Sequence, residues 1–109
     1  MKRDEAMQSG MRLHQSGQLG AAEKVYRQVL HEHPNDADAI QLLGIIAGQR
    51  GDGDTAIELI RKSIQINPDH PGAYRNLAPL LAQKGQLDEA IVAYRKFLDL
   101  RPNSPEILR

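Results

Sequence analysis

His31 and His33 are the nearest approach to a metal-binding motif in this chain. Two residues apart on a helix they point to different faces, so they cannot share an ion, and no carboxylate stands at suitable ligand spacing. Asp52 and Asp54, within Gly51-Asp52-Gly53-Asp54, suggest a calcium loop, but the other ligand positions of such a loop are missing. Their expected roles are turn and helix cap. Asp88-Glu89 reads as a helix start rather than an acid and base pair. Gly48, Gly51 and Gly53 follow no strand, so they form no phosphate-binding loop. Cysteine is absent, which excludes disulfides, thiolate metal sites and cysteine nucleophiles. The expectation is a protein with no catalytic residue, no metal and no cofactor.

Composition narrows the field further. The 109 residues are 40% hydrophobic and 26% charged, ordinary for one globular domain. Fourteen basic residues balance 14 acidic ones, so the basic stripe that a phosphate backbone requires is lacking and no nucleic-acid partner is expected. Zero formal charge also removes long-range repulsion between copies and mildly favours self-association. The N-terminal residues Asp4, Glu5, Gln8 and Ser9 leave no apolar signal-peptide core, and the longest apolar run, Leu42 to Ala47, is far shorter than a membrane span. A cytoplasmic protein without a membrane partner is expected.

What must carry function is therefore the arrangement of elements. In residues 71–104, Tyr74, Leu77, Ala78 and Leu81 fall at helical spacing, Gly85 punctuates, and Ala90, Tyr94, Phe97 and Leu98 form a second apolar stripe that stops at Pro102. Displaced by 34 residues, the same pattern fits twice more: Gly85 falls on Gly51 and Gly17, Ala90 on Ala56 and Ala22, and Pro102 on Pro68 and Pro34. Small residues recur where paired helices must approach, at Gly10, Gly44 and Ala78 and at Ala22, Ala56 and Ala90. Asp54 and Asp88 are expected to cap the second helices of their units. Pro79, inside a helix, is expected to kink it at a cost of about 3 kcal/mol if unrelieved.

This period, with its small, aromatic and proline positions, resembles the tetratricopeptide repeat over residues 3–104. The resemblance implies an all-α fold: a right-handed α-α superhelix, or solenoid, of three helix-turn-helix repeats at about 3–36, 37–70 and 71–104. Ser104-Pro105-Glu106-Ile107-Leu108-Arg109 aligns with His70-Pro71-Gly72-Ala73-Tyr74-Arg75, so residues 105–109 are expected to start a further, truncated helix pair or capping helix. A solenoid unit buries its apolar face only against a neighbour. The last helix is therefore expected to expose its Phe97 side and to invite stacking, including stacking on another copy.

In this family the first helices line a concave face. Carried over by alignment, that face comprises Met7, Gln8, Met11 and His14 in the first unit, Gln41, Leu42, Ile45 and Gln49 in the second, and Arg75, Asn76 and Gln83 in the third. Met7, Met11, Leu42 and Ile45 are expected to form an apolar floor, with Arg75 and Asn76 donating hydrogen bonds at the other end, which suits an extended or helical peptide. The setting of Asn76 is similar to repeats in which an asparagine amide holds a peptide backbone, as in the O-linked N-acetylglucosamine transferase. Gln8 and Leu42 stand at the equivalent positions, so no asparagine ladder forms. Met7 and Met11 replace the basic and asparagine pair of carboxylate-clamp adaptors, so a clamp for an acidic C-terminus is not expected.

The resemblance implies a non-enzymatic protein-interaction scaffold binding a peptide or partner protein in this groove. Two other readings fit the same residues: the substrate-holding repeat region of a larger enzyme such as a glycosyltransferase, and a self-assembling module forming homo-oligomers through the C-terminal end.

Overall fold

The computed structural model describes residues 2–101. They form six helices and, among the described residues, no strand: α1 (Arg3–Gln15), α2 (Leu19–Glu32), α3 (Ala37–Gln49), α4 (Gly53–Ile66), α5 (Pro71–Gln83) and α6 (Leu87–Leu100). Each odd-numbered helix packs on its even successor as a hairpin, and the hairpins stack through α2 on α3, α4 on α5 and α3 on α5. The result is an all-α repeat superhelix. The positions expected for Pro102 and residues 104–109 lie outside the described residues.

The three hairpin turns are the same turn. Gly17, Gly51 and Gly85 have φ of 82°, 85° and 81°, the left-handed region in which a Cβ is penalised. Each glycine lets the chain fold back so that the next amide reaches a carbonyl five residues earlier, Gln18 to Leu13, Asp52 to Ala47 and Gln86 to Leu81, all at 2.9 Å. The carbonyls left over at the helix end are thereby satisfied, and the second helix starts in the same place each time.

Two apolar cores result. One gathers Met7, Ala22, Tyr26, Val29, Ala39, Leu43 and Ile46 from the first three helices. The other gathers Ile57, Ile60, Ala73, Leu77, Leu81, Ala90 and Ala93 from the last three. Two polar side chains are buried as well, Gln41 and Ser63, and the Ser63 hydroxyl donates to the Ala37 carbonyl at 2.8 Å, tying α4 to the first turn of α3.

Several local expectations are corrected. Asp52, not Asp54, caps α4, accepting from the Thr55 amide at 3.2 Å, because the helix begins at Gly53. Asp54 instead pairs with Lys84. Asp88 lies inside the first turn of α6, and Gln86 holds the cap position without a side-chain bond. Pro79 stands inside α5, as expected, and the helix runs on to Gln83. On α6 the buried stripe is Ala90, Ala93 and Phe97, while Tyr94 is 52% exposed. Phe97, expected to be exposed, is covered in part by Arg101, whose guanidinium carbon sits 5.1 Å from the ring centroid.

Candidate functional site

The candidate site is the face formed by α1, α3 and α5, and its edge is set by charge. Arg3 opens α1 and reaches across to the start of α3, where its guanidinium donates to Asp36 from Nε at 2.7 Å and from Nη2 at 3.1 Å, and to Asp38 at 3.1 Å. Asp36 is also the N-cap of α3, accepting from the Ala39 amide at 3.1 Å. The Arg3 hydrogen bonds hold the Asp36 carboxyl below the usual carboxylate range, with the Ala39 amide adding to the effect. Arg3 is correspondingly held above its ordinary value, first by Asp36 and then by Asp4. Asp38 extends the row to His70, the N-cap residue of α5, whose Nε2 lies 3.7 Å away. One carboxylate pair thus fixes the spacing of neighbouring first helices.

The opposite ends of those helices are joined by His14, whose Nε2 is 2.7 Å from Gln49 Oε1 across α1 and α3. Between the two polar ties, Met11 is 45% exposed and Leu42 and Ile45 are half-buried, so an apolar strip runs along α1 and α3. Gln8, Gln49, Arg75 and Gln83 are exposed around it, and Asn76 is half-buried on α5.

Met7 and Gln41 do not belong to this surface. Each is 6% exposed, and Met7 is part of the first core. The reason is stacking: a side chain at this repeat position points at the next first helix. A Cβ on Gly72, at the second position of α5, would lie 3.5 Å from Gln41 Nε2. Arg75 occupies the same position in the third unit, where no described helix follows, and it is exposed. Periodicity in the sequence gives these residues one label, and only the stack distinguishes covered from open copies. The Arg3, Asp36 and Asp38 network is a further feature that the sequence reading misses. Its one signal is that the partners stand about one repeat apart, Arg3 against Asp36 and Asp38.

Among the described residues, no group of His, Cys, Asp or Glu is placed to hold a metal ion, and no helix is long and apolar enough to cross a membrane. The chain belongs to the tetratricopeptide repeat family: one tetratricopeptide repeat model matches residues 47–109 and a second matches residues 8–71. No curated protein sequence matches. Among solved structures the chain is similar to MamA, at 26% identity and a TM-score of 0.80 over 91% of this chain and 58% of that one. It is similar to a mutant O-GlcNAc transferase of Thermobaculum terrenum, at 25% identity and a TM-score of 0.84 over 94% of this chain and 21% of that one. It is also similar to the Yersinia enterocolitica type III secretion chaperone SycD, solved in complex with a peptide of the translocator YopD, at 25% identity and a TM-score of 0.84 over 96% of this chain and 80% of that one. The chain thus spans little more than half of MamA and about a fifth of the transferase.

Proposed function

We propose that this chain is a non-enzymatic interaction scaffold in the cytoplasm, built from repeats at 3–36, 37–70 and 71–104, that binds a peptide segment of a partner protein along α1, α3 and α5. The observation that carries the reading is the strip of Met11, Leu42 and Ile45 held open between two polar ties, Arg3 to Asp36 and His14 to Gln49. A methionine adapts its shape to varied apolar side chains, and the surrounding glutamines and Asn76 supply amides for a peptide backbone. The similarity to SycD, whose structure holds a YopD peptide, supports a peptide as the class of ligand. Because the helices position the strip before a ligand arrives, little ordering cost falls on the protein side.

Peptide selection from a random displayed library, with the full chain as bait, tests this. Selected peptides should carry apolar residues and lose binding at least tenfold to Leu42→Arg and to Ile45→Arg, both with unchanged helicity. Equal binding by both variants refutes the groove. A second reading, that the repeats hold protein substrates for a larger enzyme, draws on the transferase similarity. It requires a catalytic domain in the same polypeptide, which the parent gene's reading frame would reveal.

A further inference from the structure

A groove of about 610 Å³ lies between α4 and α6, with Leu77 and Leu81 of α5 as its floor and Ile64, Val92 and Ala93 along its walls. It shares no residue with the Met11, Leu42 and Ile45 strip. The stack holds an earlier copy of this groove, between α2 and α4, where Leu43 and Leu59 stand one repeat before Leu77 and Ala93. That copy has only about 260 Å³. Two residues make the difference. Leu59 is half-buried and packs on the first core, whereas its counterpart Ala93 stops at a methyl group. The first two units carry Lys24 and Glu58 where the third carries Val92, which is 66% exposed.

Charge and backbone chemistry select the occupant. Arg61 donates to Glu89 and joins α4 to α6, so both of those charges are spent. Asp88 and Lys96, both exposed on α6, have no side-chain hydrogen bond or ion pair among the described residues. They stand about 12 Å apart along the helix axis, at 1.5 Å per residue. Leu81 marks the Asp88 end, because its carbonyl accepts from the Gln86 amide at the turn into α6. Ile64, in the last turn of α4, marks the Lys96 end. An extended segment lying here would hold its backbone amides over an apolar floor with no strand to pair them. A helix satisfies its own backbone. Antiparallel to α6, it brings an acidic first turn to Lys96 and a basic last turn to Asp88, the charges that its own dipole favours at each end.

We propose that the α4 and α6 groove is a second docking site, for an amphipathic partner helix that runs antiparallel to α6. Its large apolar side chains lie over Leu77, Leu81 and Ala93, its acidic end at Lys96 and its basic end at Asp88. The peptide strip and this groove then hold different partner segments, with α5 contributing to both, Asn76 to the strip side and Leu77 to the groove.

The test is a methyl-resolved NMR titration of the full chain with a designed, side-chain-stapled helical peptide carrying leucines along one face, glutamates in its first turn and lysines in its last. Saturable shifts are expected at Ile64, Leu77, Leu81 and Val92, with Met11, Leu42 and Ile45 unmoved. A nitroxide on the peptide N-terminus should broaden Ile64 more than Leu81. Val92→Glu and Ala93→Leu restore the second unit's residues, and each should weaken binding at least fivefold; Val92 is exposed, so its replacement leaves the fold intact. Lys96→Glu should weaken binding at least threefold, and a peptide with lysines in place of its glutamates should recover it. Undiminished binding by both groove variants overturns the site, as do shifts confined to Met11, Leu42 and Ile45 or no shifts at all. Stronger broadening at Leu81, or no recovery on charge exchange, overturns the antiparallel helix. Shifts from sodium octanoate with none from the peptide would make the groove a small-molecule site and equally overturn the inference.

Discussion

The Tyr26 ring occupies the space that a side chain at Gly10 would need: a Cβ built on Gly10 would stand 2.5 Å from Tyr26 Cε1. The bare backbone of α1 is what allows α2 to bury a whole tyrosine, which is 0% exposed. Gly44 and Ile60 repeat the relationship, with Ile60 Cγ1 at 2.9 Å from the added Cβ. In the third unit Ala78 carries the methyl that the other two omit, and Tyr94 at the matching position lies outward.

Gly10→Ala should therefore lower stability by about 1–3 kcal/mol, although alanine is the better helix former by about 1 kcal/mol. Gly20→Ala is the control, since only the tip of Arg50 lies within 4 Å of its added Cβ. Urea midpoints compare them, and equal midpoints for the two variants would contradict the close packing.

Tyr26→Phe should behave in the opposite sense. The buried Tyr26 hydroxyl has no hydrogen-bond partner among the described residues, and burial pushes its pKa upward. Removing an unsatisfied hydroxyl relieves a desolvation cost of about 1–3 kcal/mol. Thermal denaturation should show Tyr26→Phe at least as stable as the parent; a loss of several degrees would show that the hydroxyl is bonded.

Ser63→Ala should cost about 0.5–1.5 kcal/mol, because it removes one hydrogen bond and leaves the Ala37 carbonyl to find another donor. Val29 and Phe97 hold the equivalent positions. Ser63→Val, measured beside it, tells whether added apolar volume offsets the lost bond.

Acid should act on the α1 and α3 tie. The Asp36 pKa is depressed in the fold, chiefly by its hydrogen bonds from Arg3. Its contribution is thus present above the unfolded aspartate value of about 3.9 and is lost as pH falls through the lower folded value. Asp36→Asn should flatten the fall in stability below about pH 4 and cost about 1–2 kcal/mol at pH 7, mostly as lost capping and pairing. Denaturant midpoints from pH 2.5 to 7 give the slope, and identical slopes for the two proteins would contradict this assignment.

The repeat is legible in the sequence because a turn that needs φ near +80° accepts few residues other than glycine, and Gly17, Gly51 and Gly85 mark it three times. Close helix approach is legible for a similar reason, since Gly10 and Gly44 have no substitute of comparable size. The site is less so. Met7, Gln41 and Arg75 share a repeat position, yet stacking buries the first two and leaves the third exposed. The cap at Asp52 is missed because either aspartate of Gly51-Asp52-Gly53-Asp54 could serve, and the one-residue choice depends on where the turn releases the chain. The Arg3 tie joins residues of adjacent units, so no local pattern announces it.

The central claim is that ligands bind along α1, α3 and α5, and methyl-resolved NMR titration of the full chain with a selected peptide tests it most directly. Saturable shifts concentrated at Met11, Leu42 and Ile45 are expected, with little change at Val92 on α6. Shifts confined to Ile91, Val92 and Leu98, with Met11, Leu42 and Ile45 unmoved, would contradict it.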